Sequence, residues 1–102
     1  MKLAAAAICL VLGTLAASAE QTNCVERVVV FEMLGCPYCA ATRAFLESNK
    51  IPFERIEIWR NPEAQAFMTR AFGTTAVPIV TNGRKAVKGH TEAGLRKLLC
   101  LG

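Results

Sequence analysis

Two cysteines separated by two residues, Cys36-Pro37-Tyr38-Cys39, are the residues here whose types and spacing point most directly to chemistry. They follow an apolar run, Val28-Val29-Val30-Phe31, and precede a segment with helical spacing. That order puts the pair at a strand-to-helix junction, with Cys36 at or just before the first helical turn and Cys39 one turn further in. A thiol at that position meets unpaired backbone N–H groups and the positive end of the helix dipole. Both favour the thiolate, which is the nucleophilic form of cysteine. The chemistry implied is exchange: the Cys36 thiolate attacks a substrate disulfide, a mixed disulfide forms, and Cys39 displaces the product. Zinc is a competing use of such a pair, but a structural zinc takes four protein ligands. No second Cys-x-x-Cys exists, and His90 is the only histidine. The alternative from a different class is a soft-metal or copper-chaperone module, with Cys36 and Cys39 holding Cu(I).

The remaining cysteines depend on how the chain begins. Lys2 gives a short basic start, an apolar stretch runs from Leu3 to about Ala17, and Ala17-Ser18-Ala19 offers small residues for cleavage. Residues 1–19 therefore read as a secretory signal peptide and residues 20–102 as the domain. The apolar run falls short of the roughly 20 residues of a membrane span, so no stable span is expected once it is removed. Cys9 leaves with the signal, and Cys24, Cys36, Cys39 and Cys100 remain. Export places them where disulfides persist, in a bacterial periplasm or outside the cell. Four cysteines allow three connectivities. The closeness of Cys36 and Cys39 favours that pair, which leaves Cys24 with Cys100 as a structural disulfide.

The segments around these cysteines read as alternating elements. Val25 to Met33 is a β-branched, almost continuously apolar run suited to a central strand covered on both faces. From Pro37 the apolar positions take helical spacing, with Arg43, Glu47 and Lys50 off that face, and Asn49 and Pro52 end the helix. Phe53 to Trp59 marks a second strand, parallel to the first. Asn61-Pro62-Glu63 is a helix start, with Asn as cap and Pro at the first position, and Gly73 is its stop. Pro78 opens a third strand, and Asn82-Gly83 signals a two-residue hairpin into a return strand over Arg84–Val87. Thr91 caps a last helix carrying Leu95, Leu98 and Leu99 on one face. Within it Gly94 costs about 1 kcal/mol relative to Ala.

This order, with Cys-x-x-Cys after the first strand and Val77-Pro78 before the third, resembles the thioredoxin fold. The fold class is α/β, with a four-stranded mixed sheet and helices on both faces. Cys36-Pro37-Tyr38-Cys39, Ala76-Val77-Pro78 and Gly89-His90-Thr91-Glu92 make residues 26–101 similar to the glutaredoxin branch. The resemblance implies a dithiol oxidoreductase acting on protein or glutathione disulfides, with no bound cofactor and glutathione as possible co-substrate. It makes Cys36 the nucleophile and Cys39 the resolving thiol. Pro78, in a cis bond, would lie against the Cys36 sulfur, and the Val77 backbone would pair with the substrate. Thr91 and Glu92 would meet the γ-glutamyl end of glutathione, with Tyr38 exposed between the thiols. Three positions depart from the family pattern: Met33 where many members have Lys, Gly35 where an aromatic is common, and Lys88 at the first glycine of the loop. Glutathione affinity is therefore not carried over with the dithiol chemistry.

Other residues get plainer expectations. Trp59 reads as core or strand-end packing, His90 as an exposed loop histidine, Phe31 and Met33 as core. Arg60 and Gln65 are placed to reach a substrate carboxylate. The net charge of +4 is mild and scattered; with no aromatic interleaving it gives no nucleic-acid patch. A monomer with an unidentified redox partner is expected.

Overall fold

The structure, a computed structural model, describes residues 24–101. The expected signal peptide, residues 1–19, lies outside the described residues. The elements are β1 (Val29–Glu32), α1 (Pro37–Ser48), β2 (Glu54–Glu57), α2 (Pro62–Phe72), β3 (Ile79–Thr81), β4 (Ala86–Lys88) and α3 (Glu92–Leu98). They form one four-stranded sheet in the order β2-β1-β3-β4. β1 is parallel to β2 and antiparallel to β3, and β3 is antiparallel to β4. This is the mixed thioredoxin-type sheet expected from the sequence.

Side-chain alternation along β1 divides the core in two. Val28 and Val30, with Val80 of β3, pack beneath Phe45 and Leu46 of α1 and Leu95 and Leu98 of α3. Phe31 and Ile79 face the other way, against Ala64 and Met68 of α2. Val30, Leu46, Met68, Ile79, Val80 and Leu95 are wholly enclosed. Removing each such side chain from water contributes roughly 1.5–3 kcal/mol. On α1 the buried positions are Cys39, Thr42, Phe45 and Leu46, one stripe at helical spacing.

Both α1 and α2 start and stop close to where the sequence puts them. The Asn61 side chain accepts the Ala64 N–H, and Gly73 closes α2 in the left-handed region at φ 74°. Asn49 ends α1, and Lys50 follows at φ 58°. The Lys50 N–H donates to Glu47 O and the Ile51 N–H to Leu46 O, the paired bonds of a Schellman stop.

Strand ends differ from expectation. β1 begins at Val29, later than Val25, because both its neighbours run out there: Glu54 of β2 and Thr81 of β3 are the partners of Val29. The hairpin after β3 is longer than two residues. Thr81 pairs with Ala86, so the connection is Asn82–Lys85 and the return strand is Ala86–Lys88, not Arg84–Val87. Asn82 is not a central turn residue. Its Oδ1 accepts the Arg84 and Lys85 N–H groups at 3.0 Å, and its Nδ2 donates to Leu98 O at 3.2 Å. The side chain thus organises the turn from its first position.

Thr91 occupies the N-cap position of α3, but its hydroxyl makes no capping bond. Gly94 is set by packing as well as by propensity. A Cβ there would collide with Thr91 Oγ1 and lie 3.3 Å from Val87 Cγ1.

Candidate active site

The chain leaves β1 through Gly35, at φ 78°. Apart from its own chain neighbours, no atom of the described residues lies within 4 Å of where its Cβ would be; the left-handed backbone, not space, calls for glycine there. Cys36 then takes an extended conformation as the N-cap of α1, with Pro37 at the first helical position. Its Sγ accepts the Cys39 backbone N–H at 3.1 Å. The sulfur does what a Ser or Asp oxygen does at other helix starts, and a negative charge on it is stabilised by the same donor.

The Cys36 and Cys39 sulfurs are paired, with Cα atoms 5.2 Å apart. Their surroundings are unequal. Cys39 is fully enclosed and Cys36 half-buried, so a reagent from solution meets Cys36 first. Tyr38 between them is 68% exposed.

The antiparallel β1–β3 pairing, with Ile79 opposite Phe31, brings Val77 and Pro78 to the end of the sheet from which Cys36 departs. The Val77-Pro78 bond is cis. The Gly89 N–H donates to Pro78 O at 2.8 Å, which draws the Gly89–Glu92 loop to the same end. His90 is not a free loop residue: its Nδ1 and the buried Thr42 Oγ1 are 2.9 Å apart. Thr42 lies on α1 one turn past Cys39, so this bond ties the loop to the cysteine helix. Thr91 and Glu92 are exposed at that loop.

Trp59 is 59% exposed instead of packed, with the Arg60 guanidinium 5.6 Å from its ring centroid. It follows the edge strand β2, where none of the described elements covers it. Gln65 Nε2 donates to Ile58 O at 2.8 Å and is thereby engaged within the fold. Met33 is half-buried and packs against the Phe31 cluster.

Sequence reading missed an ionic cluster. Glu32, the last residue of β1, is 1% exposed, and its carboxylate binds both Arg43 of α1 and Arg55 of β2. Alternation puts Glu32 on the same face as Val30, under α1, and the β1–β2 register puts Arg55 beside Val30. Arg43, expected on the outer face, turns inward to this carboxylate. An acid inside an otherwise apolar central strand was the available signal, because a charge in that place requires a partner.

At the opposite end of the sheet Cys24 and Cys100 are paired, with Cα atoms 5.9 Å apart. Cys100 follows the α3 C-cap at φ 57°, and the Leu101 N–H donates to Arg96 O. Asn82 Nδ2 reaches Cys24 O at 3.5 Å, so the hairpin turn, the lead-in and the end of α3 meet at one point.

A strand-to-helix junction carrying one enclosed and one accessible thiol, with a cis-proline at the same end of the sheet, defines a dithiol site on a thioredoxin fold. The Glutaredoxin family model matches residues 28–87. This chain belongs to the glutaredoxin family and is a thiol–disulfide oxidoreductase. It is 29% identical over 75 residues to an N-acetyl-S-hydroxy-L-cysteine reductase of Bacillus subtilis, covering 72% of this chain and 81% of that protein. It is 32% identical over 62 residues to a glutaredoxin of Pseudomonas aeruginosa, covering 61% and 74%. Among solved structures it resembles the glutaredoxin-like NrdH-redoxin of Escherichia coli, with TM-score 0.62, 30% identity, and coverage of 71% and 93%.

Proposed function

We propose that this protein reduces or forms disulfides through the Cys36–Cys39 pair after export, in the periplasm or outside the cell. The observation that carries this reading is the asymmetry of the two thiols. Cys36 is reachable and its sulfur accepts a helix-start N–H, whereas Cys39 is enclosed one turn away. In the reductive direction the Cys36 thiolate attacks one sulfur of a substrate disulfide. The electron pair of the broken bond leaves on the other sulfur, which takes up a proton. The Cys39 thiolate then attacks Cys36 Sγ, and the second substrate thiol departs. The protein ends as the Cys36–Cys39 disulfide, two electrons poorer.

In this reading the Val77 backbone and Pro78 flank the incoming chain, and Tyr38 shapes the approach. Thr91 and Glu92 meet the polar end of a glutathione-type substrate, and glutathione itself is a possible reductant. Cys24–Cys100 is the structural disulfide. The Bacillus subtilis relative is named for an S-hydroxylated cysteine derivative, and the same two thiols suit a sulfenate: Cys36 would displace water and Cys39 would free the thiol. The copper reading would use the same two soft thiolates and differs from the redox one in lacking disulfide turnover. Among the described residues no three His, Cys, Asp or Glu side chains group to hold an ion.

Trapping tests the roles. Cys39→Ser, incubated with insulin or glutathione disulfide, accumulates a mixed disulfide at Cys36, whereas Cys36→Ser traps little and is inactive. Equal trapping by both variants overturns the assignment, and stoichiometric Cu(I) binding without disulfide turnover favours the metal module.

A further inference from the structure

A cavity of about 270 Å³ opens beside Cys36. The chain from Met33 to Pro37 forms its wall, and Ala40 and Arg43 complete it. Pro37, Ala40 and Arg43 are three residues apart and form one stripe along α1. Among the described residues Arg43 is the only charged one lining the cavity, and none of Val77, Pro78, Thr91 and Glu92 belongs to it. The space is thus distinct from the surface that the cis-proline and the Gly89 loop provide.

We propose that this cavity is a substrate subsite in which the Arg43 guanidinium binds a carboxylate of the disulfide being reduced. It thereby favours small disulfides of amino-acid size that carry a carboxylate. The proposal rests on Cys36 being the attacking thiol.

Three features support it. First, a guanidinium presents five N–H donors in a fixed fork suited to carboxylates. Among the described residues Glu32 is the only hydrogen-bond partner of Arg43, and it engages Nη1. Second, Glu32 is buried and holds the guanidinium in place, so little side-chain freedom remains to be lost on binding. Its other oxygen goes to Arg55, so Arg43 does not have the carboxylate to itself. Third, Ala40 is exposed and lies between Cys36 and Arg43 on the stripe, where its short side chain leaves the way open. The volume is just below the roughly 300–1,000 Å³ of drug-sized ligand sites, which suits an amino-acid-sized occupant.

With such a substrate, Cys36 forms a bond to one sulfur and the carboxylated thiolate leaves from the other with the electron pair. Cys39 then releases the second half as described above. Arg43 takes no proton or electron; it places the substrate.

The test compares two small disulfides with the fully reduced protein: 3,3′-dithiodipropionate, with a carboxylate on each half, and bis(2-hydroxyethyl) disulfide, with none. Second-order rate constants are taken at about 0.5 M NaCl, where screening within about 4 Å removes long-range steering. The readout is the ratio of the two constants, charged over neutral. Arg43→Gln lowers this ratio about tenfold, the loss of one charge-assisted contact. Ala40→Glu, which sets a carboxylate in the cavity at an exposed helical position, lowers it at least as much, and lowers it further than Ala40→Gln, which adds the same bulk without the charge. Should Arg43→Gln fail to fold for want of the Glu32 partner, the Ala40 pair decides alone. A ratio unchanged within about twofold in Arg43→Gln or Ala40→Glu overturns the subsite. If the reduced parent consumes neither disulfide, the assignment of Cys36 fails, and the subsite with it.

Discussion

Replacing Cys24 and Cys100 together by serine should destabilise the domain without changing its fold. The two cysteines are 76 positions apart in sequence, so the bridge closes nearly the whole domain into one loop. On the chain-entropy account a loop of that size removes enough freedom from the unfolded chain to stabilise by about 4 kcal/mol. The folded ends stay together without the bond. Asn82 still links Cys24 O and Leu98 O, and Leu98 and Leu99 remain in the core. The loss therefore sits in the unfolded state. For a domain of this size about 4 kcal/mol corresponds to a fall in Tm of roughly 15–30 °C. Urea unfolding without reductant measures it directly. The serine variant should unfold at lower denaturant with a steeper slope, because its unfolded chain is no longer cross-linked and exposes more surface. A stability difference below about 1 kcal/mol, or two free thiols at these positions in the parent, would rule out a stabilising bridge.

Two further changes test the packing around the site. Glu32→Gln keeps the shape but leaves Arg43 and Arg55 without their shared charge; both are partly exposed, so water takes over part of the loss and about 1–2 kcal/mol of stability should go. Urea melts that superimpose on those of the parent would show that the ionic cluster does not stabilise the fold. Gly94→Ala would gain about 1 kcal/mol from helix propensity alone, yet its Cβ would meet Thr91 Oγ1 and Val87. The variant should lose about 1 kcal/mol net, and adding Thr91→Ala should recover part of it; a stabilised single variant would contradict the close packing.

The fold and the thiol pair were legible because local signals agreed. A β-branched run, a proline at a helix start, Asn61-Pro62 opening α2 and Gly73 closing it each name their own structure. What was not legible depended on neighbours distant in sequence. The start of β1 is set by where β2 and β3 end. The Asn82-Gly83 signal marked a turn, but the length of that turn follows from the β3–β4 register. Arg43 looked like one more surface charge on an amphipathic helix, because nothing local shows that Glu32 lies beneath it. His90 depends likewise on Thr42, 48 positions away. Trp59 failed in the other direction: its hydrophobicity suggested burial, but the edge strand before it leaves it uncovered.

In the proposed mechanism Cys36 and Cys39 turn over as the redox pair and Cys24–Cys100 does not. A titration in graded thiol–disulfide buffers, with alkylation and mass mapping of each cysteine, tests both halves at once. The pair should pass from disulfide to dithiol in one two-electron step with a midpoint between about −270 and −120 mV, while Cys24–Cys100 stays oxidised throughout. A midpoint near the lower value marks a reductase and one near the upper an oxidase. A Cys36–Cys39 bond still intact below about −300 mV, or a Cys24–Cys100 bond that opens first, would overturn the assignment of the redox pair.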